Sequence, residues 1–62
     1  METRIKSFIE YPDNIQDTIN NWIEKNNVKI ISFSSQLYLD KNKQPTEYIV
    51  AYIVYTDLPM SL

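Results

Sequence analysis

Sixty-two residues without a cysteine or a histidine leave room for one small domain that neither disulfides nor zinc-type metal sites can staple. A chain this short buries only roughly 60% of the surface its unfolded form exposes, so self-association is the route to stability left open. A formal net charge of −2 argues against a nucleic-acid binder that neutralises phosphates, and the absence of glycine excludes Gly-rich phosphate loops.

Residues 3–9, TRIKSFI, alternate, with Ile5, Ser7 and Ile9 on one side and Arg4, Lys6 and Phe8 on the other, which predicts a short strand. Pro12 in YPDN is expected to stop it. Asp13 stands where a helix N-cap is wanted, and Gln16 completes a capping-box pattern. From Asn14 to about Asn26 the period changes. Ile15, Ile19, Trp22 and Ile23 recur at helical spacing and form one apolar face, which marks Trp22 as core. In a chain without glycine, positions of positive φ are expected to fall to Asn26, Asn27 and Asn42, and KNN should end the helix with a left-handed asparagine. Residues 28–40 predict a long strand bent near Ser34–Ser35, DKNKQP a polar hairpin loop, and residues 46–57 a third strand closed by Pro59.

Together these elements predict an α+β fold, a single β-α-β-β unit over residues 1–62. A crossover through the helix and a hairpin between the last two strands place the third strand in the middle, in the order 1-3-2. The stretch YIVAYIVY, apolar on both sides, suits that central place. One face is expected beneath the helix: Ile5 and Ile9, then Ile31, Phe33, Leu37 and Leu39, then Ile49, Ala51 and Ile53. The other carries Arg4, Lys6 and Phe8, then Ser32, Ser34, Gln36 and Tyr38, then Tyr48, Val50, Tyr52 and Val54. Tyrosine-rich and poor in charge at its centre, this second face is the candidate ligand or interface surface. A second copy of the chain is expected to cover it, making a sheet-mediated homo-oligomer.

Enzymatic readings lack role-players. Histidine and cysteine are missing, Asp13 is explained as a cap and Asp40 as turn chemistry, and the hydroxyls of SFSS have no partner base. No catalytic residue, metal or cofactor is expected, and the chain should act by binding. Arg4 and Lys6 could meet phosphate oxygens, Tyr38, Tyr48 or Tyr52 could stack on a base, and Ser32, Ser34 and Gln36 could supply hydrogen bonds. The competing explanation makes Arg4 and Lys6 charges that guard an edge strand. A protein partner could instead add a strand at either sheet edge. No run approaches the ~18 apolar residues of a membrane span, and METRIK leads into no signal-peptide core, so a cytoplasmic protein is expected.

The segment IISFSSQLYLD, its polar loop and EYIVAYIVY resemble the hairpin of a small family of sporulation-controlled and phage-encoded β-α-β-β proteins of spore-forming bacteria. The likeness rests on Leu37-Tyr38, Asp40, Ala51 and Ile53-Val54-Tyr55. In the hairpin turn, where that family often has Gly, this chain has Lys41, Asn42 and Lys43. The resemblance implies the same order of elements and no activity. The function expected is a small non-enzymatic homo-oligomeric binding protein, a phage-type counter-defence protein that inhibits or sequesters a host protein. The alternatives are a sponge for a nucleotide-like signal in an intersubunit pocket, and a sporulation-associated small protein of unknown role.

Overall fold

A computed structural model describes residues 2–59. Among them the chain forms β1 (Thr3–Glu10), α1 (Pro12–Lys25), β2 (Val28–Leu39) and β3 (Pro45–Asp57). Both β1 and β2 pair antiparallel with β3, giving the expected order β1-β3-β2 with α1 as the crossover.

The ends of α1 differ from expectation. Pro12 opens the helix instead of preceding it, because its fixed φ suits the first helical position and its missing N–H is not needed there. Tyr11 is the cap residue, and its carbonyl accepts from the Asn14 and Ile15 amides at 2.9 and 3.0 Å. No side chain caps the N-terminus of the helix, so Asp13 and Gln16 form no capping box. Asp13 lies instead in the first turn, where its charge meets the positive end of the helix dipole. At the other end Asn26 is extended (φ −128, ψ 133), not left-handed. Its side chain does the capping: Nδ2 donates to the Trp22 carbonyl at 2.7 Å.

The left-handed residue is Lys43 (φ 62) in the β2–β3 hairpin. Asp40 decides this. Its Oδ1 accepts from the Asn42 and Gln44 amides at 2.8 and 3.0 Å, while its backbone bonds Lys43 and Gln44. With both ends of the loop tied to Asp40, the positive φ falls on the third loop residue whatever its type. In β2 the expected bend at Ser34–Ser35 is absent, since Ser34 and Ser35 pair regularly with Tyr52 and Ala51. The irregularities lie between Ile30 and Ser32 and between Leu37 and Leu39. Ile31 is the extra residue of the first, so Ile30 takes the face that alternation assigned to Ile31.

Directly opposed residues in an antiparallel pair share a face, so the register assigns the sides. Phe8 lies opposite Ala51, Lys6 opposite Ile53 and Arg4 opposite Tyr55. These β1 residues are therefore on the helix side, and Ile5, Ser7 and Ile9 are on the far side with Val54, Tyr52 and Val50. This reverses the expected placement of β1. Either side of TRIKSFI carries apolar groups, and a one-residue slip exchanges them. The aromatic side wins because Phe8 meets the Trp22 indole edge-on, with ring centroids 5.9 Å apart.

The core is small. Ile19, Ala51 and Ile53 are buried, with Phe8, Ile15, Trp22 and Tyr55 packed around them. Trp22 is wedged between Phe8 and Tyr55, its ring centroid 4.9 Å from that of the latter. Fully burying a side chain such as Ile53 stabilises by roughly 1.5–3 kcal/mol.

Candidate interaction surface

The helix leaves much of the sheet uncovered, for reasons of length. The 14 residues of α1 span about 21 Å, whereas the 13 of β3 reach about 44 Å. The long axis of the molecule is accordingly 48 Å. A helix is also about two strands wide, and α1 packs chiefly over β1 and β3. On the helix side β2 is left bare: Phe33 is 54% and Leu37 58% exposed, and Ile30 is exposed beside them. Phe33 and Leu37 occupy the expected face without the expected cover. In sequence, the signal was there in the mismatch between one short helix and two long strands.

The far side is the candidate surface. It carries Ser32, Ser34 and Gln36 opposite Val54, Tyr52 and Val50, with Ile5, Ser7 and Ile9 along its β1 margin. Val50 is buried at its centre, while Tyr52, Ile9 and Ile5 stand exposed. At one end Tyr48 stacks on Tyr11, with ring centroids 4.7 Å apart and phenol oxygens 3.3 Å apart. The Tyr48 hydroxyl donates in that bond, and the pairing raises the Tyr11 pKa above its ordinary value, through the hydrogen bond first and the coulombic effect second, because a phenolate on Tyr11 would stand against the Tyr48 oxygen. Tyr38 is exposed near the hairpin, and its carbonyl accepts from the Thr46 hydroxyl at 2.7 Å.

Arg4, Lys6 and Phe8 do not belong to this surface, because β1 faces the other way. Arg4 pairs with Asp57 at 3.2 Å and reaches Glu2 at 3.7 Å, while the Lys6 ammonium lies 5.6 Å from the Phe8 ring centre. Within one chain, Arg4 and Lys6 are thus on the opposite side of the sheet from Tyr52. The described residues enclose no pocket and bring together no cluster of acidic side chains suited to a metal.

No family model, curated protein or solved structure matches the chain. The surface therefore has to be interpreted from its own chemistry. Exposed apolar groups line the helix side of β2 and the far margin of β1. Ile5 and Ile9 are the contributors that sequence alternation misplaced. No helix among the described residues is long and apolar enough to cross a membrane.

Proposed function

We propose that this chain is a small non-enzymatic binding protein that acts as a homo-oligomer assembled through its sheet. The supporting observation is the amount of apolar side chain that a single copy leaves bare, with Ile5 at 68% exposure and Phe33 and Leu37 above half. These groups lie on both sides of the sheet, Ile5 at the β1 margin of the far side and Phe33 and Leu37 on the helix side of β2, and monomers seldom leave large apolar patches without a partner. Light scattering at micromolar concentration tests the assembly, and a stable folded particle of 7.4 kDa ends the reading.

For the role of such a binder we propose a phage-type counter-defence protein that inhibits or sequesters a host protein; the bare apolar side chains of the sheet support binding to a protein. Its test is plaque formation on a defended bacterial lawn. Expression of the chain should restore plaques, and an unchanged plaque count overturns the role.

A second reading is supported by the strip of Ser7, Ser32, Ser34 and Gln36 around Tyr52, which offers a stacking ring and hydrogen-bonding groups on one side. In this reading the oligomer sequesters a nucleotide-like signal, with the phosphate-binding cations supplied from another copy. Titration calorimetry with a panel of cyclic nucleotides decides it: saturable heat supports the sponge, and a flat trace from every member removes it.

A further inference from the structure

β2 is unsatisfied in every direction. None of its residues is buried, although they include Ile30, Phe33 and Leu37. It ends the sheet, so its outer edge has no neighbour among the described residues. The stretch from Ile30 to Leu39 contains no charge and no proline. Edge strands are normally guarded by one of these or kept short. The opposite edge is so guarded: β1 is eight residues long with Arg4, Lys6 and Glu10, against twelve residues in β2.

We infer that the outer edge of β2 pairs antiparallel with β2 of a second copy, about a two-fold axis through Ser35, so that two three-stranded sheets become one. This rests on the homo-oligomer reading and specifies it. A partner laid face-on would cover one side of β2, whereas a strand alongside shields the flanks of both. Between its two irregularities β2 pairs regularly from Ser32 to Leu37, which places the axis at Ser34 or Ser35. An axis on Ser35 sets Phe33 opposite Leu37 of the second copy, and Leu37 opposite its Phe33. An axis on Ser34 would oppose Phe33 to a serine.

The area of the chain as a whole leaves room for a second copy. The chain exposes 5085 Å², whereas a compact folded protein of its mass exposes about 4,200 Å². The surplus of roughly 900 Å² is close to one partner's share, about 800 Å², of a standard interface.

The chain has no cysteine, so one introduced thiol reports on one position. Across the axis the two Ser35 Cα atoms would stand about 4.5–5.5 Å apart, within reach of a disulfide. Ser35→Cys should form a covalent dimer under mild oxidation at least tenfold faster than Ser7→Cys, which places the thiol on β1. Light scattering of the unaltered chain runs in parallel, and circular dichroism verifies that both variants fold. A dimer in which Ser35→Cys links no faster than Ser7→Cys overturns the β2 pairing and leaves the homo-oligomer reading standing. A monomeric chain whose Ser35→Cys variant does not link overturns both.

Discussion

Phe8 and Ile5 differ little in hydrophobicity, yet they sit on opposite sides of β1, and only one of them meets the helix. Phe8 touches Trp22, whereas Ile5 is 68% exposed. Phe8→Ala should therefore cost about 3 kcal/mol, and Ile5→Ala no more than about 0.5 kcal/mol. Urea unfolding followed by circular dichroism measures both, and equal losses would contradict the register of β1. Tyr11 supplies a second test at this scale. Its pKa is raised by the hydrogen bond to Tyr48, so the bond's contribution is complete below the ordinary tyrosine value near 10 and is lost as pH rises through the raised value. A thermal unfolding series from pH 8 to about 11.5 should show stability falling at the alkaline end, and Tyr11→Phe should make that fall shallower. Phenol titration of Tyr48→Phe should show the Tyr11 pKa returning toward its usual value.

The hairpin between β2 and β3 shows how an element can override residue preference. A lysine holds the left-handed position because Asp40 ties both ends of the loop to itself. Lys43→Gly should stabilise the protein by about 1 kcal/mol, since glycine enters that region without the Cβ penalty. Asp40→Ala should cost about 1 kcal/mol through the lost bonds to the Asn42 and Gln44 amides. Denaturant midpoints of the two variants should move in opposite directions. A Lys43→Gly variant no more stable than its parent would mean that the loop relaxes out of the left-handed region. In α1 the same lesson applies in reverse, since Pro12 prefers the first helical position and so displaces the cap from Asp13 to Tyr11.

At the scale of the whole molecule, one short helix serves a sheet of long strands. The buried cluster of Ile19, Ala51 and Ile53 is modest, and the flanking apolar surface remains outside it. If assembly covers that surface, stability is linked to protein concentration by mass action. Raising the concentration a hundredfold should lift Tm by on the order of 5 °C for a domain of this size. A Tm independent of concentration would place the chain among monomers. The same logic bears on the candidate surface, because a site that needs Arg4 or Lys6 together with Tyr52 can form only between copies.

Taken alone, the amino-acid sequence determined the element types, their order and the central place of YIVAYIVY. Periodicity, turn residues and two-sided hydrophobicity are local quantities, and the strand order β1-β3-β2 follows from them through simple rules of connection. Tertiary structure decided the side on which each β1 residue lies, and therefore that Arg4 and Lys6 are separated from Tyr52. The physical reason is that a strand apolar on both sides has two nearly equivalent registers. Only the fit of Phe8 against Trp22, over the small Ala51, distinguishes them.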